Sequence, residues 1–233
     1  MSISALRSEI ESALKGRIDS LKLAAAAPLS EFVPSGIPEI DSILGGLPRG
    51  AIAELVGSVS SGRTSLLLSV LAEATQRQEL CALVDLNDAF DTETALSMRI
   101  EFDSLLWIRC SSNVEHALKA TELLLQSAGF GLVALDLGDL ATNGTQRVPL
   151  SSWFRLRRTV EDTPTSLLVI EQQPSARTCA SLILETNREG VKWPDEQSPP
   201  LEGAALFGGL RLRIERHKPI SSTERKIRFE TTF

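Results

Sequence analysis

Five short apolar runs constrain the fold of this chain more than any other feature. AIAELVG (51–57), CALVDL (81–86), LLWIR (105–109), GLVALD (131–136) and SLLVIE (166–171) lack regular polar alternation. A strand with one wet face alternates apolar and polar residues, whereas a strand covered on both faces reads as a continuous apolar run, the mark of a parallel sheet. Between the runs lie the helical stretches TSLLLSVLAEATQR, TETALSMRI, NVEHALKATELLLQSA and SSWFRLRRTV. Strand and helix in alternation build right-handed βαβ units. The expected fold is therefore an open α/β sheet, mostly parallel, with helices on both faces and ligands at the carboxyl ends of the strands.

The two ends of the chain follow other periods. In LRLRIER, Leu210, Leu212 and Ile214 face one side while Arg211, Arg213 and Glu215 face the other. KPISST then turns, and KIRFETTF alternates again, which predicts an antiparallel C-terminal extension of the sheet. Residues 187–203, rich in Pro, Gly and charge, read as a long loop. At the other end Ile3, Leu6, Ile10, Leu14, Ile18 and Leu21 fall at steps of three and four, an amphipathic helix leading into the connection AAAAP. The predicted organisation is a helix and linker over 1–27 and one core domain over 28–233, a length sufficient for a proper hydrophobic core. The helix packs either on its own core or on a neighbouring subunit or partner, and the sequence is compatible with both.

Charge and cysteine usage narrow the partners. No apolar run reaches the roughly 20 residues that span a bilayer, and the charged N-terminus lacks a signal-peptide core, so no membrane role is expected. Cys81, Cys110 and Cys179 are far apart and sit in apolar surroundings, as buried thiols of a cytoplasmic protein do. His116 and His217 have no second ligand at metal-binding spacing. The net charge is −6, yet residues 205–228 hold seven Lys/Arg against Glu215 and Glu224, a surplus of five. Any polyanion contact belongs at that basic C-terminal end.

The stretch GSVSSGRTS (57–65) carries the chemistry. It has the glycine spacing of a phosphate-binding loop, G-x-x-x-x-G-K-[ST], between a strand and a helix, with Arg63 in place of the lysine. Glycines let the backbone wrap tightly, so that successive N–H groups and the helix N-terminus point at phosphates. Gly57, Ser60, Ser61, Gly62, Arg63, Thr64 and Ser65 are the candidate phosphate residues, with Thr64 placed to ligate Mg²⁺ through its hydroxyl.

The flanks of the loop resemble a known family. PSGIPEIDSILGGLPRGAIAELVGSVSSGRTSLLLSV is similar to the opening of the RecA/RadA recombinase core, and CALVDLNDAFDTETA to the segment that follows it. SLLWIRCSSNVEHALKATELLLQSAGFGLVALDLGDLA resembles the stretch ending in the Walker B strand. VIEQQPSARTC sits where the family has its N-Q-I-R strand end, and LEGAALFGGLRLRIERHK fits the strand after the DNA-binding loop. The resemblance, over about residues 30–233, implies a RecA-like P-loop core that binds Mg·ATP. By that resemblance Asp136 holds the metal with Thr64, Asp91 approaches adenine, and Gln172 senses the γ-phosphate and relays it to the DNA loop.

The departures matter as much. A forked guanidinium does not substitute cleanly for a lysine at a tight phosphate site, so Arg63 weakens the cradle. Asn87 stands where the family carries the glutamate that activates the attacking water, and an amide cannot accept that proton. Thr94 replaces the tyrosine that stacks on adenine. ATP binding is accordingly expected to be weak or absent, and no catalytic residue is assigned.

A core of this size, with an N-terminal helix and a degenerate loop, resembles the ImuA group of RecA-like proteins. That resemblance implies an adaptor in SOS-type mutagenesis and translesion synthesis, with RecA and a Y-family-polymerase-like protein as partners. Arg155, Arg157 and Arg158, beside Trp153 in a helix where recombinases keep a DNA loop, are candidate contacts to DNA or a partner, against an amphipathic helix that turns Trp153, Phe154 and Leu156 inward. Arg211, Arg213 and Arg216 are candidates for the same role, including single-stranded DNA, against an ordinary solvated strand face. Two alternatives stand beside the adaptor. One is an active DNA-dependent ATPase of the RecA or KaiC type, with Asp88 as its base. The other is a structural module that caps RecA filaments through the N-terminal helix.

Overall fold

The computed structural model describes Ser8, Ser12 and residues 31–127, 129–138, 148–192, 209–218 and 226–232. The N-terminal amphipathic helix lies outside the described residues except for Ser8 and Ser12, both of which are helical. After a small two-stranded ribbon, β1 (Phe32–Val33) with β2 (Leu47–Pro48), the chain forms an eight-stranded sheet. Its strands are β3 (Ala51–Gly57), β4 (Cys81–Asp85), β5 (Leu105–Arg109), β6 (Leu132–Gly138), β7 (Ser166–Glu171), β8 (Ala180–Lys192), β9 (Gly209–Lys218) and β10 (Lys226–Thr232). Across the sheet they lie in the order β10-β9-β8-β3-β7-β6-β4-β5. Pairing is parallel from β8 through β5, and antiparallel only for β8 with β9 and β9 with β10. This is the expected fold: a mostly parallel α/β sheet with an antiparallel C-terminal extension.

Four of the five apolar runs, β3, β4, β6 and β7, lie inside the sheet with both faces covered, whereas the fifth, β5, is its edge strand and is only partly buried. On one face Ile52, Val56, Val133, Leu135, Leu167 and Val169 meet α4 (Val114–Gln126) and α5 (Leu150–Glu161). On the other, Ala53, Leu55, Leu83, Ala134, Leu168 and Ile170 meet α2 (Arg63–Gln76). Trp153, Leu156 and Val160 of α5 are essentially inaccessible, each contributing roughly 2–3 kcal/mol of apolar burial. Phe154, expected inside, is 51% exposed, because it lies one step off that three-four stripe.

Short-range chemistry sets the helix ends. The short α1 (Pro38–Leu44) has proline in its first turn and stops at Gly45, whose left-handed φ of 76° lets its N–H reach the Asp41 carbonyl. Asp91 caps α3 (Thr92–Ser97), accepting from the N–H groups of Glu93 and Thr94. Asn113 caps α4 through the His116 N–H.

One stretch departs from expectation. Residues 187–192, read as the start of a loop, complete the 13-residue strand β8, which pairs in parallel with β3. The strand that follows β7 is therefore β8, and GLRLRIERHK forms the next strand, β9. The connection 172–179 joins β7 to β8, and the rest of the expected loop, 193–203, lies outside the described residues. The charges of NREG mislead because β8 pairs antiparallel with β9 there, leaving room for polar side chains at its outer end.

Candidate nucleotide-binding site

The phosphate loop leaves the carboxyl end of β3 where the chain reverses direction across the sheet. β4 lies three strands away on one side, beyond β7 and β6, and β8 borders β3 on the other. Such a switch point opens a crevice at the strand ends. Gly57 is packed so closely that an added Cβ would lie 2.5 Å from both the Ser61 Oγ and the Thr186 carbonyl. Gly62, the residue before α2, has φ 97°, and a Cβ there would lie 2.4 Å from Leu212. Ser60 is also left-handed, at φ 59°. The loop is braced by the C-terminal strands: Ser61 Oγ and Thr186 Oγ1 are 2.8 Å apart, and the Thr186 hydroxyl donates to the Val56 carbonyl at 3.2 Å. Helix α2 has no side-chain cap, so its first-turn N–H groups face the loop as an anion site requires.

The side chains around this cradle are held by the protein itself. The Arg63 guanidinium extends across the loop and donates to the Gly138 carbonyl at 3.3 Å. Asp136 accepts the Gly138 N–H through Oδ1 at 2.8 Å. Gly138, at φ 55°, packs so tightly against Asn87 that an added Cβ would lie 2.3 Å from its Nδ2. The Asn87 Oδ1 in turn accepts from the Ser112 hydroxyl at 3.4 Å. Arg63, Asp136 and Asn87 thus converge on one glycine, while Thr64 and Ser65 open α2 beside them. Gln172 follows β7, and its carbonyl accepts the Gly57 N–H at 3.3 Å.

Four aspartates were brought to this edge, and three are committed elsewhere. Asp85, 2% exposed, accepts from the Phe90 N–H and the Trp107 indole. Asp88, the alternative base, accepts from Arg109 Nη2, the Ser111 N–H and the Ser111 hydroxyl, each at 3.3 Å. Asp91 is turned back onto its own helix, where the Thr94 hydroxyl and then its N–H hold the carboxyl below the usual carboxylate range. Trp107, the aromatic group of this edge, is engaged by Phe90 edge-on at 5.2 Å and by Arg109 over its ring at 5.4 Å. The backbone cradle, with Thr64 and Asp136, therefore fits the phosphates and metal of a nucleotide. Among the described residues, the side chains at this edge offer neither an uncommitted ring to stack on a base nor an uncommitted carboxylate at residue 87 for water activation. A bound Mg·ATP would contribute a phosphoanhydride and its metal at this cradle, and the residues that would hold it are the loop N–H groups, Thr64 and Asp136.

The basic candidates form two groups, Arg155, Arg157 and Arg158 along one cavity on α5 and Arg211, Arg213 and Arg216 on β9, of which Arg155, Arg157 and Arg213 meet carboxylates. Arg155 meets Glu122 at 3.2 Å and Arg157 meets Glu161 at 2.7 Å. Arg213 contacts Glu189 and Glu215, and Arg228 contacts Glu189. Arg211 and Arg216 lie on the same strand, β9. The cysteines are buried thiols without disulfides. Burial, helped by Asp88 and Asp85, pushes the Cys110 thiol up to about 11, and burial pushes Cys81 higher still. Among the described residues, no group of three or more His, Cys, Asp or Glu is arranged to hold a metal ion, and no helix is long and apolar enough to cross a membrane.

Sequence reasoning missed Thr186, Leu212, Gly138, Glu54 and Glu171. The first three act through packing across strands that no local pattern reports. Glu54 and Glu171 were visible as lone carboxylates within apolar runs.

The fold and loop together define a phosphate-loop α/β core. The RecA N-terminal domain family matches residues 3–142. The chain belongs to that family, whose domains bind ATP and Mg²⁺. It is 36% identical to Protein RecA of Brucella anthropi over 138 residues, 58% of this chain and 38% of that protein. Protein RecA of Bacteroides thetaiotaomicron is 33% identical over 158 residues, 61% of this chain and 48% of that protein. Protein RecA of Porphyromonas gingivalis is 38% identical over 106 residues, 45% of this chain and 31% of that protein. The chain therefore spans less than half the length of these curated relatives.

Proposed function

We propose that this RecA-family protein is an ImuA-like adaptor of the DNA-damage response, acting in SOS-type mutagenesis and translesion synthesis with weak or absent ATP hydrolysis. The observation that carries the proposal is the commitment of the working side chains to the protein itself. Arg63 is bonded to the Gly138 carbonyl, Asn87 lacks a proton-accepting carboxylate, and Asp88 is held by Arg109 and Ser111. RecA and a Y-family-polymerase-like protein are the proposed partners. Single-stranded DNA at the basic C-terminal strands would have to compete with Glu189 and Glu215 for Arg213, so such binding should be weak and steeply salt-dependent.

The test is calorimetric titration of the protein with Mg·ATP beside a phosphate-release assay, with and without single-stranded DNA. Weak binding with little or no turnover in either condition is expected. The intact cradle, with Thr64 and Asp136 in place, favours a DNA-dependent ATPase as the second reading. Brisk DNA-stimulated hydrolysis that Asp136→Ala abolishes would establish that reading and overturn the adaptor.

A further inference from the structure

Glu54 lies in the middle of β3 and is fully buried. Glu171 ends the adjacent strand β7. Because Glu54 pairs with Val169 and Val56 with Glu171, the two carboxyls are diagonal neighbours on one face of the sheet, close enough for both to accept the same Ser175 N–H, at 2.8 Å and 3.1 Å. Two ionised carboxylates in such a place repel across a low-dielectric gap, and neither is solvated by water.

The protein supplies donors for a single negative charge. Glu54 Oε1 accepts from the N–H groups of Ser175 at 2.8 Å and Ala176 at 2.7 Å, and Oε2 from that of Arg177 at 3.2 Å. Glu171 Oε1 accepts from the Ser175 N–H at 3.1 Å and its hydroxyl at 2.9 Å. All these donors belong to the connection between β7 and β8. The far end of that connection is held by Lys218, whose ammonium donates to the carbonyls of Arg177, Thr178 and Ala180. The same strand end reaches the phosphate loop through the Gly57 N–H on the Gln172 carbonyl.

Among the described residues, the neighbouring charges are few. β8 carries Glu185, paired with His217 of β9, and β9 also brings Arg216 and Lys218. The connection adds Arg177 and the thiol of Cys179, α5 turns Trp153, Leu156 and Val160 inward, and strand alternation sends Asp136 of β6 to the opposite face.

We propose that Glu54 and Glu171 share one proton, and that this proton latches the 172–179 connection, with Gln172, to the phosphate-loop strand. With the proton present, one carboxyl donates to the other and the remaining negative charge is met by the N–H groups. When it is lost, two anions face each other and the connection opens. Burial, followed by the Glu54 hydrogen bond, pushes the Glu171 carboxyl up to about 8 from an ordinary value of 4.5. Opening returns Glu171 to water and releases the proton, so the opening constant rises about tenfold per pH unit between those two values and levels off above the higher one. The inference concerns the chain without nucleotide and stands whether or not ATP binds.

The experiment is hydrogen exchange of the full chain, without nucleotide, across about pH 5 to about pH 9, with rates corrected for intrinsic base catalysis. Protection of the Ser175, Ala176 and Arg177 amides is expected to fall up to about tenfold per unit toward pH 8, then plateau. Glu171→Gln keeps a neutral donor and should leave these amides protected throughout, whereas Glu54→Gln should lower protection at every pH. Wild-type protection that does not change with pH overturns the latch, even if neither variant folds. So does a loss shared equally by the amides of β3 and β7, since that is global unfolding, and so does a Glu171→Gln profile that matches the wild type.

Discussion

Replacing Arg63 with lysine tests whether the loop is silenced by its own side chain. In the native chain the guanidinium is spent on the Gly138 carbonyl at 3.3 Å, a long bond at a half-buried position. A short, buried hydrogen bond to a charged group contributes about 1.5–3 kcal/mol, so this one is worth about 1 kcal/mol. A phosphate that draws the side chain inward must first break it. Lysine presents a compact charge and no fork. Arg63→Lys should therefore return about 1 kcal/mol to nucleotide binding, which is about a fivefold lower Kd for Mg·ATP. Titration calorimetry on both proteins measures the difference, with Arg63→Ala as the control that removes the cation and gives no tightening. Mg·ATP binding by Arg63→Lys no tighter than by the native chain, at unchanged thermal stability, would refute the silencing of the loop by Arg63.

Three further expectations concern the scaffold. Gly62→Ala forces a side chain at φ 97° against Leu212 and should cost about 2–4 kcal/mol in urea denaturation, with a cost under about 1 contradicting the packing described. Glu79→Ala strips a buried partner, 2.7 Å away, from Arg49, whose side chain is 7% exposed, and should cost about 3–5 kcal/mol by the same assay. Glu171 binds a proton in the folded chain that the unfolded chain lacks between 4.5 and about 8. Its contribution to stability is therefore complete below that window and is lost as pH rises through it, at up to about 1.4 kcal/mol per unit, and Glu171→Gln should flatten that slope in denaturation series.

Much of the architecture was legible in the sequence because parallel strands covered on both faces leave an unmistakable trace. AIAELVG and SLLVIE could be read as buried strands without knowing their neighbours. The phosphate loop was legible for a related reason: glycine spacing between a strand and a helix is a local requirement of the backbone. β8 was less so, since its outer end is polar and its place beside β3 depends on a pairing partner far away in the chain. The departures at Arg63 and Asn87 were equally plain as residue types, but type alone did not say where those side chains go.

The sequence by itself determined the class of fold, the position of the phosphate cradle and the absence of a carboxylate at residue 87, because each follows from periodicity or from the chemistry of one residue. Only the tertiary structure decided that Arg63 is bonded across the loop to Gly138, that Asp88 is held by Arg109, and that Thr186 and Leu212 brace the glycines of the loop. It also brought Glu54 and Glu171, 117 residues apart in the chain, onto one face of adjacent strands. The physical reason is that side-chain commitments are settled by packing between strands remote in sequence, whereas strand, helix and glycine turn are settled within a few residues of themselves.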